Sequence, residues 1–436
     1  MKKILLSAIA VTMSVCAYSQ VSWTQQNSAF TTASTGVSTI AIVDANTAWA
    51  LGYDGSSATP ANYQTFTRTT NAGTTWTSGS INVGNAAYLV SDLTAVSGTT
   101  AWVTATPSAG GNGGGVWKTT NSGTTWTKQT TASFSSAASF ANTIYFWDAN
   151  NGVAMGDPNG TLFEIYTTSN GGTNWTQLTA TSVPATNANE YGYVHLKEVA
   201  GDNIWFGTST GRIFKSANKG ATWTVVSTPL SDFGGTAASG KITLKDANTA
   251  WILSSTGVVY STANGGTTWT TLPSVTQSSD ITYVPGTTST LIAVGNGATT
   301  SGSSLSNNGG TSWTTIESIN ALVNVTALNS TTIFGGSFNT SATVGGMFKL
   351  SGSLAVNDVA NGKANSLSIY PNPTKGELNI KTDKKIKSSI VFDLSGKVLL
   401  QSSSEKVNIS SFTKGTYLLK VEFADGSTKT EKIIKD

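Results

Sequence analysis

The sequence predicts an all-β protein, a seven-bladed β-propeller followed by a small immunoglobulin-like β-sandwich. A short sequence motif that ends in tryptophan recurs six times, with tryptophan-to-tryptophan steps of 50, 49, 48, 46 and 44 residues. Repeats of this length that consist of strands and turns are typical of propeller blades. The chain is rich in Thr, Ser, Asn and Gly, and only 11% of its 436 residues are charged. Such a composition suits short strands joined by tight turns.

Residues 1–19 have the pattern of a signal peptide, in which two lysines precede an apolar run and small residues stand at the cleavage site. We expect cleavage before Gln20, after the small residues Ala17 and Ser19. The apolar run is too short for a membrane span. Cys16 is the only cysteine of the chain, so the mature protein has no disulfide and no thiolate metal site. Lipidation of Cys16 is an alternative that the preceding Val15 disfavours.

The recurring motif predicts a hairpin turn between two strands in each repeat. Its Asn side chain can bond to the amides of the turn, and its Gly adopts a positive φ without steric cost. The Trp that follows offers a large apolar surface for packing between neighbouring sheets. We therefore predict a structural role, with no direct part in chemistry, for this set: Asn71, Gly73, Trp76, Asn121, Gly123, Trp126, Asn170, Gly172, Trp175, Asn218, Gly220, Trp223, Asn264, Gly266, Trp269, Asn308, Gly310 and Trp313.

A second signal predicts the turn between the first two strands of each blade. Residues 42–49 match residues 244–251 closely, with Asp-Ala-Asn at the centre of both. Counting these hairpins gives seven units over residues 20–350, and the seventh lacks its tryptophan strand. Residues 21–25 have the missing pattern, so we expect them to close the last blade and remove a free sheet edge. Six or eight blades are the alternatives if this closure is wrong.

The tryptophan motif resembles the Asp-box, or BNR, repeat of sialidase-like propellers, and the resemblance covers residues 21–350. Asn replaces the Asp of that pattern in all six copies. In that family the boxes are structural and lie on the face opposite the active site, so the resemblance implies that a functional site would use the other face. Residues 146–158 also resemble a segment of bacterial propellers of the photosystem II assembly-factor and BNR glycosyl-hydrolase types.

The tail after a predicted linker at residues 351–365 has a different composition. Residues 20–362 carry 10 Lys and Arg against 14 Asp and Glu, whereas residues 363–436 carry 13 against 8. In residues 366–436 short strands alternate with turns, which predicts a small β-sandwich. An immunoglobulin-like carbohydrate-binding module is one candidate for such a tail.

Three motifs of this tail resemble the type A C-terminal sorting domain of the type IX secretion system. They are Tyr-Pro-Asn-Pro-Thr-Lys-Gly at 370–376, Phe-Asp-Leu-Ser-Gly-Lys-Val at 392–398, and Lys-Gly-Thr-Tyr-Leu-Leu-Lys-Val at 414–421. The resemblance implies a bacterium of the Bacteroidota type and export across both membranes, with the protein released or held at the cell surface. It also implies that the secretion machinery is a partner and that the domain is removed after export.

Composition excludes several classes of function. The chain has two arginines, Arg68 and Arg212, so the arginine triad with which a sialidase holds its substrate carboxylate cannot form. A single His and no Cys in the mature chain leave no transition-metal cluster, and we expect no cofactor. No dense basic stripe is present, so nucleic acid is not an expected partner. A glycosidase that needs only two carboxylates stays open.

The longer loops predict where a ligand would bind. Residues 54–63, 107–115 and 179–193 connect strands at the end opposite the boxes, and binding sites favour such loops on a rigid scaffold. On the third and fourth blades we predict that a ligand-facing cluster converges near the propeller axis, formed by Asp157, Glu190, Tyr191, Tyr193, His195 and Arg212. Under the alternative interpretation Asp157 caps its own turn, Glu190 is solvated and His195 is a strand residue with satisfied hydrogen bonds.

We predict an exported binding protein that uses this loop-rich face for a glycan or a protein. Tyr53 and Tyr63 would add aromatic surface for stacking against a ligand. One alternative is a secreted glycoside hydrolase or lyase with Asp157 and Glu190 as its carboxylate pair; carboxyl groups roughly 5–10 Å apart across a cleft would favour it. A second alternative is an assembly factor for other surface proteins.

Overall fold

The computed structural model describes residues 21–56, 61–108, 111–235, 239–352, 354, 367–382, 384–393, 396–424 and 428–436. The chain divides into two compact units, Met1–Ala355 and Val356–Asp436. The predicted signal peptide and most of the predicted linker lie outside the described residues. The described residues form strands and turns without an α-helix, and among them no helix has the length and apolar character needed to cross a membrane.

The described part of the first unit has 28 strands. In chain order they are β1 (Ser22–Asn27), β2 (Thr35–Ile42), β3 (Ala48–Asp54), β4 (Thr65–Thr69), β5 (Thr77–Ser80), β6 (Tyr88–Ala95), β7 (Ala101–Pro107), β8 (Gly115–Thr119), β9 (Thr127–Gln129), β10 (Ala141–Phe146), β11 (Gly152–Asn159), β12 (Leu162–Thr168), β13 (Thr176–Gln177), β14 (Gly192–Ala200), β15 (Asn203–Thr208), β16 (Arg212–Ser216), β17 (Thr224–Ser227), β18 (Gly240–Leu244), β19 (Ala250–Ser254), β20 (Val259–Thr262), β21 (Thr270–Leu272), β22 (Asp280–Tyr283), β23 (Leu291–Gly295), β24 (Gly302–Ser306), β25 (Thr314–Glu317), β26 (Asn324–Asn329), β27 (Thr332–Ser341) and β28 (Val344–Ser351).

These strands pair antiparallel in groups of four. Five groups are separate sheets, from β6–β9 to β22–β25. The other eight strands form one sheet, in which β2–β5 and the group β26–β27–β28–β1 are joined only by the pairing of Gly36 with Phe338. The first strand of each group packs against the first strand of the next, and β26 packs against β2. The inner strands therefore form a closed ring, and we interpret the seven groups as seven blades.

The start of the chain supplies the outer strand of the last group. Strand β1 pairs with β28, from Ser22 opposite Ser351 to Asn27 opposite Gly346. The Trp23 indole Nε1 donates a hydrogen bond of 2.8 Å to the Ser303 hydroxyl of the preceding group. The predicted closure by residues 21–25 is confirmed, and the two ends of the propeller sequence hold each other in place.

The tryptophan boxes are hairpin turns with one repeated hydrogen-bond pattern. In the second copy, Asn121 Oδ1 accepts a 3.0 Å bond from the Thr125 amide, and the Thr119 hydroxyl accepts a 3.0 Å bond from the Gly123 amide. The Ser122 amide then donates to the Thr99 carbonyl, 3.0 Å away, in the turn between the first two strands of the same blade. An equivalent backbone bond is present in all six copies. Boxes and first turns therefore lie at the same end of the ring, which we call the box end.

Cationic side chains join one blade to the next. The Lys118 ammonium lies 4.9 Å from the Trp102 ring and donates a 2.9 Å bond to the Gly171 carbonyl of the following blade. Arg68, Lys215 and Lys349 make the same pair of contacts, each with an aromatic ring of its own blade and a carbonyl of the next. Lys349 reaches the Ala72 carbonyl of the first box, and this contact also closes the ring.

The second unit is a two-sheet sandwich. Its described strands are β29 (Ser368–Tyr370), β30 (Glu377–Lys381), β31 (Ile386–Phe392), β32 (Val398–Ser402), β33 (Lys406–Asn408), β34 (Gly415–Phe423) and β35 (Thr428–Lys435). One sheet has the order β29–β30–β33 and the other β32–β31–β34–β35. Apolar side chains from both sheets, such as Leu378 and Leu419, form one buried core. Asn372 of the Tyr-Pro-Asn-Pro motif bonds to the backbone of Lys432 and Ile434, which fastens the start of the domain to its last strand.

Candidate functional site

The two ends of the ring differ in character. Boxes and first turns occupy the box end, so the connections between second and third strands, and those between blades, lie at the other end. All three long loops predicted from the sequence join strands at this second end. We call this end the loop-rich face. The predicted site residues belong to the third and fourth blades, formed by β10–β13 and β14–β17.

Glu190 and Arg212 form a buried ion pair at the loop-rich face. Glu190 is 4% exposed, and its Oε1 accepts bonds from Arg212 Nε at 3.0 Å and from the Thr208 and Thr210 hydroxyls at 2.5 and 2.7 Å. Its Oε2 accepts from Arg212 Nη2 and, at 2.8 Å, from the Asn187 amide. Burial alone raises the pKa of Glu190, but these donors together lower it below its usual value. The idea that Glu190 is solvated is therefore wrong.

Asp157 joins the third blade to the fourth. Its Oδ1 accepts a 2.7 Å bond from the Asn142 side chain and a 2.9 Å bond from the Gly192 amide at the start of β14. Burial raises the pKa of Asp157 despite these two donors. The side chain thus bonds to a neighbouring blade, and the alternative in which it caps its own Pro-Asn-Gly turn is wrong.

Tyr191 and Tyr193 form an aromatic pair beside Asp157. Their ring centroids lie 5.4 Å apart in an edge-to-face arrangement. The Tyr193 hydroxyl donates a 2.5 Å bond to Asp232, and burial followed by this bond raises its pKa. Tyr191 is 45% exposed. Of the pair, Tyr191 therefore presents the more accessible ring.

His195 lies apart from the other predicted residues. Strand β14 shifts register between Gly192 and Lys197, and His195 has a left-handed φ of 60° inside this irregularity. Its Nδ1 is 3.5 Å from the Asp92 carboxylate, too long for a good hydrogen bond, and has no hydrogen-bond partner among the described residues. Lys197 pairs closely with the same Asp92. The structure therefore does not bring all six predicted residues together.

The contacts of Asp92 cross the ring, because β6 and β14 belong to blades that are not neighbours. Asp92 is fully buried and accepts bonds from the Leu93 and Ile144 amides, both at 2.9 Å. Burial acts to raise its pKa, but Lys197 and His195 outweigh that effect and lower it. Asp280 occupies the equivalent place on β22, where it accepts from the Ile281 and Val325 amides.

A cavity of 480 Å³ occupies the centre of the ring and is lined by residues from all seven inner strands. It extends to turn residues at the box end, including Gly201 and Pro285. We call it the central cavity. Among its lining residues are His195, Lys197 and three groups that the sequence reading missed, Glu198, Lys241 and Asp280.

Glu198 and Asp280 are the unusual carboxylates of the central cavity. Burial, reinforced by the nearby charge of Asp280, raises the pKa of Glu198 to about 8, although Lys197 and Lys241 oppose the shift. Burial also raises the pKa of Asp280. A signal for these residues exists in the sequence, because charges are scarce and Glu198 follows Lys197 within a strand that is otherwise mostly apolar. Among the described residues, no group of three or more His, Cys, Asp or Glu could hold a metal ion.

Residues 368–436 match one known family, described as the secretion system C-terminal sorting domain. The second unit carries a type IX sorting domain. The protein is thus exported by type IX secretion, to the cell surface or the medium. No curated protein matches the sequence.

Two solved structures of YCF48 are similar to the chain. The structure of YCF48 bound to D1 peptide has a TM-score of 0.51 at 13% identity, over 77% of this chain and 98% of that one. YCF48 from Cyanidioschyzon merolae has a TM-score of 0.51 at 17% identity, over 75% and 98%. PorZ of Porphyromonas gingivalis, a surface component of the type IX system, gives only 0.37 at 12% identity, over 92% and 52%. At these identities the YCF48 likeness establishes the propeller fold alone.

Proposed function

We propose that the exported propeller is a binding protein whose loop-rich face holds a protein or glycan ligand. The observation that carries this proposal is that Glu190 is a buried carboxylate surrounded by hydrogen-bond donors. A glycosidase needs one carboxyl group that exchanges a proton with the substrate and a second that acts as base or nucleophile. Glu190 accepts five hydrogen bonds, is 4% exposed and has a lowered pKa. These properties suit a structural anion.

Asp157 supports the same conclusion. One of its oxygens accepts bonds from two groups of the scaffold, and one of these groups is a backbone amide of the next blade. The pair of carboxylates that hydrolysis would require therefore serves to fix the loops. The raised pKa of Asp157 is the property that a general acid would need, but the contacts of the two carboxylates do not favour the hydrolase or lyase over binding.

The exposed aromatic surface near these carboxylates suits a ligand. Tyr191 is 45% exposed and packs edge-to-face on Tyr193, which Asp232 holds in place. An aromatic ring fixed by its neighbours offers apolar contact at a low entropic cost, and both sugars and peptides use such rings. Because one YCF48 structure contains a bound peptide, a polypeptide is the first ligand to test.

The experiment is a binding screen with residues 20–436, the chain without its predicted signal peptide, against a glycan array and against outer-membrane and medium proteins. We expect one class of ligand to bind, and Tyr191→Ala to weaken binding at least about tenfold. Tyr370→Ala is the matched control, since Tyr370 is 48% exposed but lies in the second unit. Equal loss in both variants, or no loss in Tyr191→Ala, contradicts the proposed face.

A polysaccharide-degradation screen tests the hydrolase and lyase alternative. We expect no turnover by the wild-type protein. Turnover that disappears in Asp157→Asn would replace binding by catalysis as the function. Capture of one dominant envelope protein in the binding screen would favour the assembly-factor alternative.

A further inference from the structure

We propose that the central cavity binds the cationic nitrogen of a ligand, an ammonium or guanidinium group, against the carboxylates of Glu198 and Asp280. The cavity is distinct from the loop-rich face, since it extends to Gly201 and Pro285 at the box end. Its 480 Å³ is the size of a small-molecule site. The inference therefore goes beyond the proposed function and does not depend on it.

Glu198 carries the argument because it lacks a partner of its own. Glu198 lines the cavity, and within the described part of the chain the Val199 amide is the one hydrogen-bond donor that acts on its carboxyl group. Glu190 accepts five bonds by comparison. A carboxylate inside a protein is stabilised by donors or by a cation, and Glu198 has room beside it for a group that the protein does not supply.

Asp280 makes the same region more negative. Both of its oxygens already accept backbone amides, from Ile281 at 2.9 Å and Val325 at 3.0 Å. Its charge nevertheless acts on Glu198 strongly enough to be the leading effect after burial. A cation between the two groups would offset this repulsion and lower the pKa of Glu198, so that Glu198 would bind the cation as a carboxylate.

The positive groups around the cavity compensate this negative region only in part. Lys197 is engaged by Asp92, and Lys245 donates to the Thr288 carbonyl at 2.8 Å. Lys241 acts on both carboxylates from a distance, but among the described residues it forms no ion pair with either. His195 faces Asp92, and Tyr145 adds a neutral hydroxyl, whose pKa is raised by burial and then by the charge of Glu198. Lys241 therefore competes with the proposed ligand.

The sequence supports a special role for Glu198. At the corresponding place on their inner strands, the second, fifth and sixth blades have threonines, Thr94, Thr243 and Thr282. Register shows the match, because Glu198 lies opposite Trp205 as Thr94 lies opposite Trp102 and Thr243 opposite Trp251. A small neutral residue is thus sufficient for the fold at this position.

The experiment is calorimetric titration of residues 20–436, the chain without its predicted signal peptide, with cadaverine, agmatine and N-acetyl-lysine methylamide. We expect at least one of these cations to bind and Glu198→Gln, which keeps the shape, to weaken it at least about tenfold. Lys241→Met is expected to tighten binding several-fold, because it removes the competing cation. Glu405→Gln, an exposed change of equal charge in the second unit, is expected to change nothing.

Specific outcomes would overturn the proposal. They are no binding of any of the three cations, equal binding by wild type and Glu198→Gln, or binding of diacetylated cadaverine, which has no cationic nitrogen, as tight as that of cadaverine. If Glu198→Gln does not fold, weaker or unchanged binding by Lys241→Met overturns it instead. Tighter binding of cadaverine would indicate that the natural ligand is a free small amine. Tighter binding of N-acetyl-lysine methylamide would indicate a lysine side chain of a polypeptide ligand. If Tyr191→Ala loses binding of the ligand found in the binding screen but binds these cations as wild type does, the central cavity and the loop-rich face are separate sites.

Discussion

Single charged residues in this protein have roles that depend on how many donors surround them. Glu190 has five, and its charge is balanced by Arg212. Removing one member of a buried ion pair leaves the other charge without compensation, which costs about 3 to 5 kcal/mol. Exposed pairs contribute far less, at most about 1 kcal/mol.

We therefore predict that Glu190→Gln lowers the free energy of unfolding by about 3 kcal/mol, as measured by urea denaturation. The matched control is Asp202→Asn, whose partner Lys219 lies 3.8 Å away and is, like Asp202, well exposed. The control is expected to cost less than about 1 kcal/mol. Equal effects of the two substitutions would show that Glu190 is not a structural anion.

Glu198 predicts a pH dependence of stability. Its pKa rises from 4.5 in the unfolded chain to about 8 in the folded protein, so the folded state binds more protons between these values. Stability therefore decreases as the pH rises from about 4.5 to about 8. Unfolding free energies of wild type and Glu198→Gln across this range measure the effect. The difference between the two proteins is expected to change with pH, and a constant difference would contradict the assignment.

The candidate site shows the limits of prediction at this scale. The sequence indicated Glu190 and Arg212 separately, but their pairing depends on the register that places β16 beside the loop before β14. It missed Asp92, Glu198 and Asp280 because the sequence pattern does not show which charged residues of the inner strands are buried or line the central cavity. The structure places His195 within an irregularity of β14 and near Asp92, and this irregularity leaves no clear mark in the sequence.

At the scale of elements, the tryptophan box is the unit that repeats most faithfully. Its Asn side chain accepts from the amide four residues later and donates to the hydroxyl of the same residue, as Asn121 does with Thr125. Gly123 adopts a φ of 84°, and a Cβ there would lie 2.1 Å from the Phe66 ring of the previous blade. The box thus combines a turn and a close contact between blades.

We predict that Asn121→Asp is tolerated within about 0.5 kcal/mol, because Asp keeps the acceptor oxygen that the turn requires. Asn121→Ala removes all three hydrogen bonds of the Asn121 side chain and is expected to cost about 1 to 2 kcal/mol. Thermal unfolding of the two variants checks this order. A larger loss in the Asp variant would mean that the amide nitrogen, and not the acceptor, stabilises the turn.

Most elements of the fold were predictable from the sequence. The period of the boxes predicted the propeller and the pattern of residues 21–25 predicted the closing strand. The cationic contacts between blades were not predictable, because Lys118 and Gly171 are distant in sequence and meet only when neighbouring blades pack. Lys118→Met, which removes this bond, is expected to cost about 1 kcal/mol, measured by urea denaturation. An unchanged midpoint would contradict a stabilising role for the contact.

The whole molecule combines an exported propeller with a sorting domain that directs it to the type IX secretion system. Its two faces have different features: aromatic loops around Tyr191 at one end, and the mouth of the central cavity at the other. Both depend on the ring being closed, since β1 completes the last blade and Lys349 joins that blade to the first box. Closure by the first strand of the mature chain is therefore the central claim.

Thermal unfolding of a chain that lacks residues 20–27, compared with the mature protein, tests this claim most directly. Without β1 the last blade loses its outer strand and the Trp23–Ser303 bond. We predict that the midpoint of the first unit falls by at least about 10 °C, since 1 kcal/mol corresponds to roughly 2–4 °C or less in a domain of this size. Trp23→Ala is expected to lower the midpoint by a smaller amount in the same direction. An unchanged midpoint in the shortened chain would contradict the closed ring.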